Sequence, residues 1–224
     1  MPTLVDGTVD VWGVDLADRA LDAALERLLS GAERERAARF MRPGDGERWA
    51  AAHGVLRALL GAYLDADPRT LRFAQGPHGK PRLAGDARLR FNLSHSADTA
   101  LIALARTHEV GVDVELPRRG VDHVAIARRI LGEAEATRLA ALDPPQRERE
   151  FLRAWVRWEA VLKCRGTGIG GGAQPAGCPD PWVHELDVGP AGAGALAVAD
   201  GPVEVRCWRW PSAGPGWLRT ISRP

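Results

Sequence analysis

Residues 45–63 have the sequence DGERWAAAHGVLRALLGAY, and the fold class follows from this stretch. Its large apolar residues recur at helical spacing, from Trp49 through Leu56 to Tyr63. This pattern predicts a long amphipathic helix that ends before Asp67-Pro68. The other elements of the first half are predicted around it: a strand at 9–16, helices at 20–29 and 33–40, and strands at 71–75, 88–93 and 99–105.

The second half of the chain repeats this order of elements. We predict a strand at 110–116, helices at 122–131 and 134–142, a long helix at 146–164, and closing strands at 182–188, 203–210 and 217–222. No residue-level repeat accompanies the pattern. The repeated order predicts an α+β fold of two similar lobes, each a small sheet packed on a long helix. The lobes are expected to span residues 1–107 and 108–224, with the active site in the cleft between them.

The composition allows a proper core and argues against several partners. The chain has 224 residues, of which 45% are hydrophobic. Its 30 basic and 29 acidic residues give a net charge of +1, so no global field draws it to nucleic acid or to an anionic membrane. It lacks an apolar run of membrane-spanning length and an N-terminal signal-peptide pattern, which predicts a cytoplasmic protein. Its three cysteines form no C-x-x-C pair and are expected to be free thiols: Cys164, Cys178 and Cys207.

Two carboxylates alternate along the predicted strand at 110–116, VGVDVEL. Strand alternation places Asp113 and Glu115 on one face. Adjacent carboxylates repel each other unless a cation lies between them, and their hard oxygen atoms suit Mg²⁺. The alternative is a polar strand face that is open to water, and this stretch alone does not separate the two.

The long helix of the second half places Trp155, Glu159 and Lys163 in one row, because residues four apart share a face. The row carries either an ordinary surface ion pair or a third carboxylate for a metal site. Lys163 and Lys80 are the two lysines of a chain whose other basic residues are all arginine. This usage favours a role for both as compact ammonium groups.

Three further segments carry groups that suit an anionic ligand. The predicted turn at 76–81, GPHGKP, holds Lys80 extended, which suits a phosphate contact or a solvated hairpin loop. The stretch at 91–96, FNLSHS, ends a predicted strand with hydrogen-bonding groups that favour a polar pocket. The glycine-rich segment 166–172 is expected to be a mobile connector or a phosphate cradle.

In this order, the motifs resemble the larger, surfactin-type class of 4'-phosphopantetheinyl transferases. The matching residues are Gly79-Lys80-Pro81, 91–96, 110–115, Trp155, Glu159-Ala160 and Lys163, with Arg39-Phe40, Asp45, Arg48 and Arg57 upstream. The resemblance covers residues 33–170, and Asp-x-Glu combined with Glu-x-x-x-Lys is its specific part. One position departs from the family: Trp158 stands where the family has lysine. Either Arg157 or Arg165 then supplies that charge, or the tryptophan packs against a carrier protein.

The resemblance implies transfer of the phosphopantetheine arm of coenzyme A to a serine of an apo acyl or peptidyl carrier protein, with release of adenosine 3',5'-bisphosphate. It implies that coenzyme A binds between the two lobes. The repeated order of elements predicts a monomer, because two similar lobes of one chain can form this cleft. Mg²⁺ would be held by Asp113, Glu115 and Glu159. The implied catalytic residues are Asp113, Glu159 and Lys163, with Glu159 or a bound water as the base. The implied contacts to coenzyme A are Arg36, Arg48, Lys80, Pro81, Ser94, His95, Asp113 and Lys163.

Two other functions fit some of the same residues. Mg²⁺-dependent nucleases also combine an acidic pair with Glu and Lys, but they place the lysine two positions after the strand carboxylate, where this chain has Pro117. A non-catalytic protein that binds coenzyme A or a carrier would keep the fold and lack the chemistry. A measurement of Mg²⁺-dependent transfer separates this possibility from the enzyme.

Overall fold

The computed structural model describes residues 3–17, 22–76, 78–85, 88–168 and 179–211. Within these ranges the elements are β1 (Thr8–Asp15), α1 (Asp22–Glu26), α2 (Gly31–Ala38), α3 (Pro43–Leu64), β2 (Phe73–Gln75), β3 (Pro81–Leu83), β4 (Arg90–Ser96), β5 (Thr99–Ala105), β6 (Val110–Glu115), α4 (His123–Ile130), α5 (Glu133–Ala140), α6 (Pro144–Arg165), β7 (Trp182–Leu186), β8 (Ala193–Val198) and β9 (Glu204–Arg209). The predicted strand at 217–222, residues 169–172 of the glycine-rich segment and Cys178 lie outside the described residues.

The two long helices, α3 and α6, are built alike. Each has 22 residues and begins with proline in its first turn, where a missing N–H is tolerated. Each ends at a residue in the left-handed conformation, Asp65 (φ 50°) after α3 and Gly166 (φ 71°) after α6. The side chain of Asp143 also accepts a hydrogen bond from the Gln146 amide at the start of α6. Both helices therefore have defined ends in the sequence.

Each long helix packs on its own sheet. The first sheet has the strand order β4-β5-β1-β9 and packs on α3 through Trp12, Leu59 and Ile102. The second sheet has the order β6-β8-β7 and packs on α6 through Val156 and Ala195. The predicted α+β fold of two lobes, each with a sheet on a long helix, is confirmed.

The two sheets also pack on each other. Their other faces meet in a core cluster that includes Val11, Leu101, Val112 and Leu196. Strand alternation explains the division, since Val11 and Trp12 point to opposite faces of the first sheet. The layers run helix, sheet, sheet, helix, and the strands β4 and β6, one at an edge of each sheet, lie beside each other.

The last described strand belongs to the first sheet. β9 pairs in parallel with β1, although its neighbours β7 and β8 lie in the second sheet. Asp10 lies on β1 opposite Arg206 of β9 and is fully buried. It accepts hydrogen bonds from Tyr63 Oη (2.6 Å), Arg206 Nε (2.7 Å) and Trp208 Nε1 (3.0 Å). The boundary at 107/108 stays a prediction, and a division by sheets would assign β9 to the first lobe.

Two of the described strands, β3 and β8, were not predicted, and β3 has only three residues. β8 has the sequence AGALAV, all of it buried, so it has no polar alternation and Val198 is its one β-branched residue. Among the described residues, no helix is both long and apolar enough to cross a membrane.

Candidate active site

The candidate site lies where β6 and α6 touch. A Cβ placed on Gly111 would come within 2.1 Å of the Ala160 carbonyl oxygen and 2.2 Å of the Cys164 amide nitrogen, so only glycine permits this approach. Asp113 follows Gly111 on the same face of β6 and therefore faces α6. From α6, Lys163 meets that carboxylate.

Lys163 joins the carboxylates of the two elements. Its Nζ donates to Asp113 Oδ1 at 2.5 Å and to Ser94 Oγ at 2.9 Å, and lies 3.6 Å from Glu159 Oε2. The one-turn spacing of Glu159 and Lys163, seen in the sequence, brings both to the same point. The structure thus brings together Asp113, Glu159, Lys163 and Ser94.

Asp113 is the most buried of the three carboxylates of the site, with 1% of its surface exposed. Ser94 Oγ donates to its Oδ1 at 2.7 Å, the atom that also accepts from Lys163. Its other oxygen, Oδ2, is buried and has no hydrogen-bond partner among the described residues. A buried carboxylate oxygen without a donor favours a cation at that position.

Glu115 lies at the end of β6 and has partners of its own. Ser96 Oγ donates to Glu115 Oε2 at 2.8 Å, and an Arg118 guanidinium nitrogen lies 3.2 Å from the same oxygen. Burial raises the pKa of Glu115 above its usual value. Neither Ser96 nor Arg118 was assigned a contact to the site from the sequence.

Of the carboxyl groups of the site, that of Glu159 has the pKa that departs most from its usual value. Burial, followed by the charge of Asp113, raises its pKa to about 7, although Lys163 acts in the opposite direction. A carboxylate in this range can accept or give up a proton near neutral pH, as a general base must.

The edge strand β4 supports the acidic face of β6 with polar side chains. Asn92 Oδ1 accepts from the Val112 amide at 2.8 Å, Ser94 reaches Asp113, and Ser96 reaches Glu115. The sequence contained a signal for this arrangement, because Asn92, Ser94 and Ser96 alternate along a strand and share a face. The stretch lies within β4, which continues three residues beyond the predicted end of its strand.

His95 and Arg48 lie near the turn between β4 and β5. Burial lowers the pKa of His95, and the charge of Lys163 lowers it further. Arg48 Nε donates to Asp98 Oδ1 at 2.6 Å in that turn. The positive charges of Arg48, Lys163 and Arg118 all act on the His95 ring.

Lys80 lies at the other end of β6. Its Nζ donates to Glu109 Oε2 (2.7 Å), to the Val110 carbonyl (2.9 Å) and to the Cys164 carbonyl (3.2 Å), so each of its three N–H groups has an acceptor. With a strand rise of about 3.3 Å per residue, Val110 is about 10 Å from Asp113. The contact of Lys80 to coenzyme A stays a prediction.

The remaining predicted contacts are spread over the first lobe. Pro81 opens β3 and pairs with Gln75 of β2. Arg36 lies on α2 with its guanidinium 5.2 Å from the centre of the Trp49 ring. The structure shows no site contact for either residue among those it describes.

Trp158, the departure from the family pattern, belongs to an aromatic row on α6. Its ring centre is 5.3 Å from that of Trp155, which stacks in turn on Phe151. The two arginines that could replace the family's lysine have acidic partners here: Arg157 pairs with Glu185, and Arg165 with Asp180.

By their chemistry, the residues of the site suit a hard divalent cation. Three carboxylates offer oxygen ligands of the kind that Mg²⁺ prefers, and within the described ranges Asp113 Oδ2 has no hydrogen-bond partner. They are not a finished metal site, because no group of three or more His, Cys, Asp or Glu residues in the described ranges has that arrangement. The oxygen ligands fit the ion, while Lys163 contacts two of the carboxylates, Asp113 and Glu159.

Comparisons with known proteins identify the family. A model of the 4'-phosphopantetheinyl transferase superfamily matches residues 109–204, and a model of the N-terminal part of 4'-phosphopantetheinyl transferase matches residues 18–107. The 4'-phosphopantetheinyl transferase HetI of Nostoc sp. is 36% identical over 171 residues, which cover 75% of this chain and 72% of that protein. The chain belongs to the 4'-phosphopantetheinyl transferase family. The family predicted from the sequence motifs is thus confirmed.

Other members of the 4'-phosphopantetheinyl transferase family match similar shares of the chain. A putative 4'-phosphopantetheinyl transferase of Synechocystis sp. is 36% identical over 157 residues, or 69% of this chain and 64% of that protein. A 4'-phosphopantetheinyl transferase of Bacillus subtilis is 28% identical over 163 residues, or 71% of each. The superfamily match contains β6 and α6, and the N-terminal match contains α3 and β4, so the candidate site draws on both.

Proposed function

We propose that this protein transfers the 4'-phosphopantetheine arm of coenzyme A to a serine hydroxyl of an apo acyl or peptidyl carrier protein, and releases adenosine 3',5'-bisphosphate. The observation that carries the proposal is the meeting of Asp113, Glu159 and Lys163 at one point between β6 and α6. In a chain of this family, carboxylates with an ammonium group at such a point suit phosphoryl-group transfer.

Asp113, Glu115 and Glu159 are the proposed ligands of Mg²⁺. When bound, the ion would neutralise charge on the diphosphate of coenzyme A. The chain's own residues orient these ligands. Ser94 and Ser96 each donate a hydrogen bond to one carboxylate of β6, which restricts its rotation.

The reaction forms one bond and breaks one. The serine oxygen attacks the phosphorus next to the pantetheine arm, and the bond from that phosphorus to the bridging oxygen breaks. The serine proton passes to Glu159 or to a bound water. Lys163 would stabilise the negative charge on the phosphate oxygens.

The remaining groups proposed to contact coenzyme A are positive or polar. Arg48 and His95 lie near the β4–β5 turn, and the charges of Lys163 and Arg48 both act on His95. Arg48 is paired with Asp98 and must exchange that partner for a phosphate. The other proposed contacts are Arg36, Lys80, Pro81 and Ser94. We further propose that the protein acts as a cytoplasmic monomer, since one chain contributes both lobes.

The test is intact-mass analysis of apo acyl and peptidyl carriers after incubation with the protein, coenzyme A and Mg²⁺. We expect the mass of a carrier to increase by one phosphopantetheine group, and the increase to require Mg²⁺. Asp113→Ala and Glu159→Gln should abolish the change. Glu35→Gln, an exposed glutamate of α2, is the control and should leave it intact.

Two outcomes would contradict the proposal. Binding of coenzyme A without modification of any carrier in a broad panel would favour a non-catalytic binding protein. Near-normal turnover of Asp113→Ala at limiting Mg²⁺ would remove that residue from the metal site. Circular dichroism of each variant separates loss of chemistry from loss of fold.

A further inference from the structure

The charges around Lys163 are close to balance before any ligand binds. When ionised, Asp113, Glu115 and Glu159 contribute three negative charges, and Lys163 and Arg118 contribute two positive ones. The two cations differ in their setting. The Arg118 side chain is 65% exposed, so solvent screens its pair with Glu115, whereas Lys163 meets a carboxylate that is almost fully buried.

Lys163 holds the carboxylates that a divalent ion would need. Its Nζ contacts Asp113 Oδ1 at 2.5 Å and lies 3.6 Å from Glu159 Oε2. A cation that enters between Asp113 and Glu159 must compete with this ammonium group. Moving the ammonium group away from the carboxylates costs free energy unless it finds a new anionic partner, because a partly buried charge needs one.

We propose that Lys163 is an exchangeable internal cation, which holds Asp113 and Glu159 in the ligand-free protein and passes to the diphosphate of coenzyme A when a divalent ion takes the carboxylates. The inference rests on the proposed function and extends it to the order of binding. Metal and coenzyme A then bind cooperatively. Binding of the metal alone would leave the Lys163 ammonium group without an anionic partner. The diphosphate of coenzyme A supplies that partner, so each ligand favours the binding of the other.

Two contacts support an exchange over a fixed pair. Ser94 Oγ donates to Asp113 and accepts from Lys163 Nζ, so it can keep the carboxylate oriented while the ammonium moves. Lys163 is on the last turn of α6 and its side chain is 27% exposed, which leaves it room to turn toward a ligand. A lysine has a flexible stem with rotatable donors, as this movement requires.

The experiment measures Mn²⁺ affinity by electron paramagnetic resonance and calorimetry, with and without coenzyme A. For the wild-type protein we expect coenzyme A to increase the affinity by about tenfold or more. Lys163→Gln should bind Mn²⁺ about tenfold more tightly than wild type in the absence of coenzyme A, and should gain less from adding it. Lys163→Arg keeps the charge and should bind Mn²⁺ alone no more tightly than wild type.

Arg153→Gln is the matched control, because it removes one positive charge from the same helix at a residue paired with Glu185. It should leave Mn²⁺ affinity unchanged. An equal gain in Arg153→Gln would assign the effect to net charge and overturn the proposal. Circular dichroism verifies that Lys163→Gln folds. If it does not, equal wild-type affinities with and without coenzyme A still overturn the exchange.

The outcomes separate the two proposals. If the wild-type protein modifies a carrier but Lys163→Gln binds Mn²⁺ no more tightly than wild type, the exchange is wrong and the transferase function stands. If the wild-type protein modifies no carrier while Lys163→Gln still gains Mn²⁺ affinity, the exchange stands as a property of the site and the transfer does not. If the wild-type protein binds no Mn²⁺ under either condition, both are overturned.

Discussion

Replacing Gly111 with alanine tests whether the contact between β6 and α6 sets the geometry of the site. The new Cβ would lie 2.1 Å from the Ala160 carbonyl oxygen and 2.2 Å from the Cys164 amide nitrogen. Ordinary carbon contacts begin at about 3.5 Å, so the strand and the helix would have to separate by roughly 1 Å or more. Because both obstacles are backbone atoms, they cannot rotate aside as the end of a side chain can.

Separation of the two elements should lower both the stability of the protein and the rate of the reaction. Overpacking a core typically destabilises a protein by about 1–3 kcal/mol. A displacement of about 1 Å between reacting groups can lower the rate by about a hundredfold. For Gly111→Ala we therefore expect both effects, since Asp113 follows on the same strand and Glu159 is next to Ala160 on the same helix.

The assay combines urea unfolding with the initial rate of carrier modification. Gly13→Ala is the control: it also lies within a strand, but its new Cβ would meet nothing closer than the Trp208 carbonyl oxygen at 3.8 Å. It should behave almost as the wild-type protein does. Wild-type stability and turnover in Gly111→Ala would refute the reasoning, and equal losses in both variants would assign the effect to strand glycines in general.

Three further predictions concern stability. Lys80→Met removes the donor from two backbone carbonyls and should lower the free energy of unfolding in urea by about 1–3 kcal/mol; an unchanged midpoint would contradict its structural role. Burial lowers the pKa of His53 to about 4, against about 6.5 in an unfolded chain, so the unfolded state binds the extra proton and stability is lost as the pH falls from about 6.5 to about 4. His53→Gln should remove this part of the pH dependence of the urea midpoint, and identical slopes in both proteins would show that His53 does not cause it. Asp10→Asn removes the charge that balances Arg206 and should cost about 3 kcal/mol or more in thermal unfolding, whereas a wild-type melting temperature would mean that the pair contributes nothing.

Elements with a regular pattern could be predicted from the sequence. The apolar spacing placed α3 and α6 within a few residues of their observed ends. β8 could not be predicted, because a strand that is buried on both faces and made of alanine, glycine, leucine and valine has no polar alternation. The partner of β9 could not be predicted either, since parallel pairing with β1 leaves no local trace.

The candidate site shows the same division. Alternation in β6 placed Asp113 with Glu115, and the spacing in α6 placed Glu159 with Lys163, so the acidic cluster followed from local patterns. The partners of Lys80 could not be predicted from local patterns. Its ammonium contacts a carbonyl 84 residues away, a distance in sequence over which residue type alone predicts no contact.

The pairing of β9 with β1 has a consequence for how the chain is made. Arg206 follows Asp10 by 196 positions, an interval of about 10–40 seconds at a synthesis rate of roughly 5–20 residues per second. From the time β5 has paired with β1 until β9 is made, β1 is an open edge of the first sheet, able to pair with another chain, and Asp10 has no Arg206 guanidinium beside it. Of the strands that the structure describes, the last to be made therefore completes the lobe that was begun first.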